Sequence, residues 1–340
     1  MKKILNENLF LFISSLIILL LLFTIKRIFS FKKSYPDLRN KHIVVYVALR
    51  EEEAKYLLEL FKKETGCTYE YIKLPTEEAV MRILDERTNP KGNIFIGGTC
   101  DGYELLKNYN LLEKYKSPNA KNISSNYIDS DGYWTGFEID PLSIAINKEA
   151  WNNSFGSKNI PMPTTFNDLI NPIYKGKIII PDPKTSGTGY TFMAYLYQQL
   201  GEEYFCKFIK QLKSNIKRLT ISGFNSIQRV SSGEYILTVN FLGDQRIMTK
   251  SDMNIINIIP KNTGWNVNVV AAIKNNNNDE ATKAFIDFCL SDEVANKLSS
   301  FSMATSTKNF KSMDYEIFKN YSFKKAAYDR NNIMNIWDSN

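Results

Sequence analysis

Histidine is almost missing from this 340-residue chain; His42 is the single one. No Ser–His–Asp or Cys–His pair can be assembled unless His42 serves, and it precedes the first strand instead of lying at a strand's carboxyl edge. No H-E-x-x-H and no G-x-x-x-x-G-K-[ST] occurs, which removes a zinc-protease helix and a P-loop. The four cysteines, Cys67, Cys100, Cys206 and Cys289, never approach C-x-x-C spacing, so no zinc ribbon or dithiol redox centre is expected. Each is expected to pack as a small apolar residue. Catalysis, a cofactor and a resident metal are all unexpected on these grounds.

A real charge excess is missing too. The formal net charge is +7, but residues 1–41 hold eight Lys and Arg against Glu7 and Asp37. The remaining chain therefore carries about one positive charge, not the basic footprint of a nucleic-acid binder. Only one long apolar run exists, Leu9–Ile25, interrupted by Ser14, Ser15 and Thr24. As a helix it spans about 25 Å at 1.5 Å per residue, slightly short of a hydrocarbon core of roughly 30 Å. Thr24–Lys33 offers no A-x-A-like cleavage site and no lipoprotein cysteine follows. Residues 1–33 are therefore expected to be an uncleaved signal-anchor helix, with atypical cleavage as the alternative. More Lys and Arg follow the run than precede it, which argues for a cytoplasmic domain.

From Lys41 onward the chain alternates strand-like and helix-like patterns, with enough residues for two lobes. Ile43–Ala48 reads as a strand, and Glu51–Thr65 carries Ala54, Leu57, Leu58 and Phe61 at helical spacing. Tyr69–Leu74 reads as a strand, and Thr76–Arg87 as a helix capped by Thr76. Ile94–Ile96 runs into Gly97-Gly98-Thr99. The theme repeats at 178–180 and 235–241, and strand Val267–Ile273 leads into a helix over Asp279–Cys289. Such alternation implies mostly parallel sheets flanked by helices.

The stretch I-I-I-P-D-P-K-T-S-G-T-G-Y-T-F-M-A-Y-L at 178–196 is the most informative. It reads as a buried strand, a Pro-rich turn and a helix opening at Thr185 or Ser186. A helix start presents unpaired N–H groups and partial positive charge. The Ser186 hydroxyl, with Gly187 and Gly189 allowing close approach, makes this start an anion cradle; an ordinary Ser N-cap is the plain alternative. Phe192 stands where a dinucleotide fingerprint needs its third glycine. Ligands of open α/β sheets bind beyond the strands' carboxyl ends. That rule selects Arg50, Thr76, Gly98, Thr99, Ser186, Gly187, Thr188, Ser222, Gly223 and Asp244. Arg50 is the one cation of this set, able to fork onto phosphate or carboxylate, or else to pair with Glu52 or Glu53. Asp244 is suited to accept sugar hydroxyls or meet an ammonium group, or else to cap the helix that follows. One of Glu138 and Asp140 is expected to face the cleft.

Six segments together resemble the iron- and phosphosugar-type solute-binding proteins of bacterial ABC importers. They are V-V-Y-V-A-L-R-E-E-E-A-K-Y-L-L-E-L-F-K-K-E-T-G (44–66), N-P-K-G-N-I-F-I-G-G-T-C-D-G-Y-E-L-L-K (89–107), L-L-E-K-Y-K-S-P-N-A (111–120), Y-W-T-G-F-E-I-D-P-L-S-I-A-I-N (133–147), the 178–196 run, and S-G-E-Y-I-L-T-V-N-F-L-G-D (232–244). They occur in family order across residues 42–300. The resemblance implies the α/β two-lobed type II periplasmic-binding-protein fold, each lobe a mostly parallel sheet flanked by helices, plus the N-terminal membrane helix. It implies lobe 1 at 42–137 and 268–340 and lobe 2 at 138–267, with crossovers near 136–142 and 263–268. Trp134 and Trp265 would stack on a sugar or brace the hinge.

The family's iron binders hold metal with adjacent tyrosines in the stretch matching Val239–Asp244. Here that stretch is V-N-F-L-G-D, without tyrosine, so hard oxygen ligands are missing where iron needs them. The resemblance then implies capture of a small anionic organic solute, a sugar phosphate or phosphonate, and its delivery to an ABC permease driven by its ATPase. Ferric iron, a cationic solute of the polyamine or thiamine type, and a ligand sensor are the alternatives. The expected receptor is a monomer outside the cytoplasm, tethered by its N-terminal helix or secreted, and it does not bind nucleic acid. The location outside follows the family against the charge bias.

Overall fold

The computed structural model describes Ser15 and residues 35–340, apart from 159, 252–253, 275–278, 309 and 311. Residues 1–37 and 38–340 form separate compact units, and the second is the subject here. The expected membrane helix over residues 1–33 is corrected. Among the described residues no helix is long and apolar enough to cross a membrane, and Leu9–Ile25 lies, Ser15 apart, outside the described residues. The membrane tether, the anchored location and the membrane as a partner lose their support with it.

Two sheets share one strand. Strands β1 (His42–Ala48), β2 (Thr68–Lys73), β3 (Ile94–Thr99), β4 (Leu112–Glu113) and β5 (Thr135–Asn147) are followed by β6 (Ile178–Pro181), β7 (Ile216–Thr220), β8 (Leu237–Phe241), β9 (Ile255–Ile258), β10 (Trp265–Ile273) and β11 (Thr305–Ser306). The path runs β2-β1-β3-β10-β5-β8-β6-β7, with β4 on β10 and β9 and β11 on β5. Pairs β1–β2, β1–β3, β6–β7 and β6–β8 are parallel. Strands β5 and β10 enter antiparallel to their neighbours, so each sheet is a parallel set with antiparallel crossover strands rather than mostly parallel. The long β5 explains this. Its first half pairs with β10 as far as Pro141, and its second half pairs with β8 from Leu142 onward. Both sheets therefore grow from one continuous strand.

The helices follow from amphipathic spacing. In helix Glu51–Thr65, Ala54, Leu57, Leu58 and Phe61 are buried on one face, and Gly66 at φ 75° stops the helix. Helix Gly187–Leu200 is buried along nearly its whole length, as expected of an element enclosed between layers. Helix Asp279–Cys289 has the expected bounds. Cys67, Cys100 and Cys289 are buried, whereas Cys206 is half-buried, an exception to the expectation for all four.

Candidate functional site

The shortlisted residues come from different strand ends, and the fold gathers them. Ser186 is the N-cap of helix Gly187–Leu200, accepting from the Gly189 N–H at 3.4 Å. Ser222 caps helix Gly223–Ser231 by accepting from the Asn225 N–H at 3.2 Å. The plain capping role of Ser186 is thus present. Thr76 does not cap its helix, which spans Thr76–Asp85 behind Pro75. As the first helical residue it turns its hydroxyl toward the glycines of its neighbours: a Cβ on Gly98 would lie 2.6 Å from Thr76 Oγ1, and one on Gly187 2.7 Å from it. A Cβ on Gly187 would also run into Thr99 Oγ1, and one on Gly223 would lie 2.6 Å from Thr188 Oγ1. Gly98 itself sits at φ 72°, where a side chain is strained. Four helix starts, at Thr76, Cys100, Gly187 and Gly223, therefore meet through glycines and hydroxyls. The Glu77 N–H donates to Thr185 O at 3.3 Å across this junction.

A second cluster, around Arg50, is acidic. Arg50 pairs with Glu53, its Nε 3.0 Å from Glu53 Oε1, and its Nη2 also donates to the Phe301 carbonyl. Its guanidinium lies 5.6 Å from the Phe224 ring centroid, next to Gly223. Arg50 is thus engaged with Glu53, one of the two partners considered for it, and it bridges the two clusters. Glu138 is buried and accepts from Asn268 Nδ2 at 2.9 Å and Ser302 Oγ at 2.8 Å. Asp140 accepts from the Gly243 N–H at 2.9 Å, capping helix Leu242–Lys250 from a neighbouring strand. Asp244 lies in the first turn of that helix, beyond the cap position. Glu138 and Asp140, two apart on β5, share one face of that strand.

Crowding shifts these carboxyl groups upward. Burial raises Glu138 to about 8, with the Glu53 charge adding to it and the bonds from Asn268 and Ser302 opposing it. Burial raises Asp244 to about 6 against the attraction of Arg50. Burial also raises Glu53, opposed by Arg50, and Asp140, opposed by the Gly243 N–H. Near neutral pH this cluster therefore offers at least one protonated carboxyl that can donate as well as accept.

Several contributors escaped the shortlist. Asn266 and Asn268 form the floor beside Glu138: Asn266 Oδ1 accepts from the Cys100 N–H at 2.8 Å, and its Nδ2 donates to Asp101 Oδ1 at 3.0 Å and Thr191 Oγ1 at 2.8 Å. The signal was present in W-N-V-N-V-V, where amides alternate within an otherwise apolar buried strand. Asn240 in L-T-V-N-F is similar, donating to Gly223 O at 3.4 Å. Arg330, which meets Glu77 and Asp101, carried no local sequence signal.

A cavity of about 1070 Å³ lies elsewhere, walled by Tyr127, Trp134, Trp265, Tyr321 and Phe323. These rings pack edge-to-face on one another, Trp265 on Phe323 at 5.1 Å and Trp134 on Phe323 at 6.3 Å. Trp134 Nε1 donates to Glu104 Oε1 at 2.9 Å and Trp265 Nε1 to Phe318 O at 3.0 Å. Trp134 stands just before β5 and Trp265 opens β10.

With this geometry in hand, the chain can be compared with known proteins. The family model described as "Bacterial extracellular solute-binding protein" matches residues 89–332. An uncharacterised protein of Haemophilus influenzae is 26% identical over 256 residues, covering 74% of this chain and 73% of that protein. The periplasmic binding protein AfuA of Actinobacillus pleuropneumoniae, solved with fructose 6-phosphate bound, is similar at 25% identity and a TM-score of 0.83, covering 88% of this chain and 98% of that one. Iron-bound HitA of Pseudomonas aeruginosa shares the fold at 15% identity and a TM-score of 0.74, covering 88% of this chain and 99% of that one.

Proposed function

We propose, from the premise that this chain belongs to the bacterial extracellular solute-binding proteins, that it is the solute receptor of an ABC importer and that its solute is a small anionic organic molecule bearing hydroxyl groups, of the sugar-phosphate class. The family and the fold are those of proteins that bind without catalysing. The observation that carries the anionic reading is the meeting of four helix starts through Thr76, Thr99, Ser186, Thr188, Ser222 and their glycines. Helix starts favour negative charge, and the glycines let an anion reach backbone N–H groups. The carboxyl cluster suits the solute's neutral part, since protonated and ionised carboxyls hydrogen-bond hydroxyls in both directions.

In this reading residues 42–137 and 138–267 are the two arms, and the chain after 268 returns to the first until its tail, from Ser322 on, fastens to helices of the second. Solute held by one arm recruits the other, so binding free energy stabilises the closed form. The closed form is then what a permease and its ATPase would recognise. AfuA, whose bound molecule is a sugar phosphate, supports this choice. The iron-binding relatives favour metal instead, but V-N-F-L-G-D lacks their tyrosines. Among the described residues no three of His, Cys, Asp and Glu stand where they could hold a metal ion.

The test is calorimetric titration of residues 35–340 with fructose 6-phosphate, inorganic phosphate and spermidine, with ferric citrate followed in the visible spectrum. Binding of fructose 6-phosphate more tightly than phosphate, with no heat from spermidine, is expected. Tight spermidine binding without either phosphate would move the assignment to a cation. An intense tyrosinate-to-iron band would move it to iron.

A further inference from the structure

Arg330 opens the C-terminal helix Arg330–Ser339, a position where a cation opposes the helix dipole. A positive charge kept there points to a partner elsewhere. Its Nη2 pairs with Glu77, its Nη1 lies 3.5 Å from Asp101 Oδ2, and its guanidinium sits 4.0 Å from the Tyr190 ring centroid. The Glu77 and Asp101 side chains are 4% and 0% exposed. The three partners sit beside the anion subsite: Glu77 follows Thr76, Asp101 lies two residues after Thr99, and Tyr190 lies one turn into the helix begun by Ser186 and Gly187.

The tail that carries Arg330 is itself fastened to the second sheet's helices. Gln198 exchanges hydrogen bonds with the Ser322 backbone at 2.9 and 3.0 Å. Tyr190 Oη donates to Ala326 O at 2.6 Å, and Lys213 Nζ donates to Trp337 O at 2.7 Å. Arg330 thus reaches from an anchored tail to the first sheet's helix starts. Two buried carboxylates depend on it. Asp101 Oδ1 is held by Asn266, whereas Glu77 Oε1, Asp101 Oδ2 and Arg330 Nη1 have no hydrogen-bond partner among the described residues.

We propose that Arg330 is a positioning residue of the anion subsite. It pairs with Glu77 and places its charge beside Asp101, and so sets the helix starts bearing Thr76 and Thr99 against the helix that begins at Gly187. The C-terminal tail is then part of the binding machinery although it contributes no residue to the ligand contacts. The nature of the ligand rests on the preceding reading; the positioning does not.

The experiment therefore has one arm with ligand and one without. In ligand-free protein, amide hydrogen exchange is followed at 76–79, 100–103 and 187–190, with Val45–Val47 of β1 as the remote reference. The variants are Arg330→Lys, Arg330→Met and the triple Arg330→Met, Glu77→Gln, Asp101→Asn. Arg330→Met strands two buried charges, and exchange at the three segments should rise by about tenfold or more while β1 is unchanged. Arg330→Lys keeps the charge without the fork and should fall between wild type and Arg330→Met. The triple variant leaves no buried charge unpaired and should return to within about threefold of wild type. Fructose 6-phosphate affinity should fall by about ten- to a hundredfold in Arg330→Met and recover in the triple variant. Unchanged exchange in Arg330→Met, or a uniform rise that includes β1 and persists in the triple variant, overturns the proposal. Wild type that ignores fructose 6-phosphate overturns the solute class alone, and the exchange arm still decides the role of Arg330.

Discussion

In one cluster the groups that meet are Thr76, Thr99, Ser186, Thr188, Ser222 and three glycines; in the other, Glu53, Glu138 and Asp244 lie near Arg50, and Asp140 lies near Glu138 and Asp244. The first keeps its side-chain charges, Glu77, Asp101 and Arg330, against one another and draws its outward polarity from helix starts. The second is rich in charge but largely spends it internally, Arg50 on Glu53 and Phe301 O, Asp140 on Gly243 N–H, Glu138 on Asn268 and Ser302. The helix-start N–H groups are only partly used, Ser186 taking that of Gly189, Ser222 that of Asn225 and Asn266 that of Cys100, and the helix dipoles persist whatever the protonation of nearby side chains. Side-chain charges in a crowded site satisfy one another first. The more polar-looking cluster is therefore the one less able to grip an anion.

The largest effect that would break this comparison is steric. Gly187→Val places a branched side chain against the Thr99 hydroxyl and within 2.7 Å of Thr76 Oγ1. Closure should be blocked, with affinity for fructose 6-phosphate reduced by at least about a hundredfold, some 2.7 kcal/mol. Calorimetry measures the loss, and small-angle scattering should show that the variant no longer compacts on adding solute. Undiminished affinity would separate the helix starts from the binding site.

Ser186→Ala comes next. Losing a hydrogen bond to a charged group costs about 1.5–3 kcal/mol, or ten- to a hundredfold in affinity. The lost N-cap should also lower stability by about 1 kcal/mol, readable as a small drop in melting temperature. Asp244→Asn keeps the shape and one acceptor, so its cost toward a sugar phosphate should be smaller, about 1–2 kcal/mol. Toward a cationic solute the same change would cost about 2–5 kcal/mol, because a ligand charge is left unpaired in the cleft.

The smallest effect is on stability against pH. Burial raises Glu138 from 4.5 to about 8 in the folded protein. Between those values the unfolded chain has released the proton that the folded chain retains. Stability from this group is therefore full below about pH 4.5 and is lost as pH rises toward about 8. Asp244, raised to about 6, acts in the same direction over a narrower window. The melting temperature of ligand-free protein should fall by a few degrees from pH 5 to 8, and Glu138→Gln should flatten that slope. A slope unaffected by the substitution would show that the carboxyl cluster is not crowded as described.

Much of this architecture was legible beforehand because it depends on period and punctuation. Alternating β-branched and amphipathic stretches placed β1, β3, β6 and helix Asp279–Cys289, and glycines with hydroxyls after strands marked the residues that the fold brings together. What stayed hidden depends on direction and distance. Whether Thr76 caps its helix or turns its hydroxyl to Gly98 and Gly187 is a matter of one residue's register against Pro75. The engagement of Arg50 with Glu53 depends on rotamers, and the meeting of Arg330 with Glu77 joins residues more than 250 positions apart. The expectation of a membrane helix rested on an apolar run alone, and no described helix supports it.

The central claim is that the anionic head of the solute sits at the helix starts and its neutral body at the carboxyl groups. Parallel titration of fructose 6-phosphate into Ser186→Ala and Asp244→Asn tests it most directly. The account predicts that Ser186→Ala loses more affinity than Asp244→Asn, and that the Ser186→Ala penalty disappears for fructose, which lacks the phosphate. A greater loss in Asp244→Asn, or an equal Ser186→Ala penalty for fructose and fructose 6-phosphate, would contradict it.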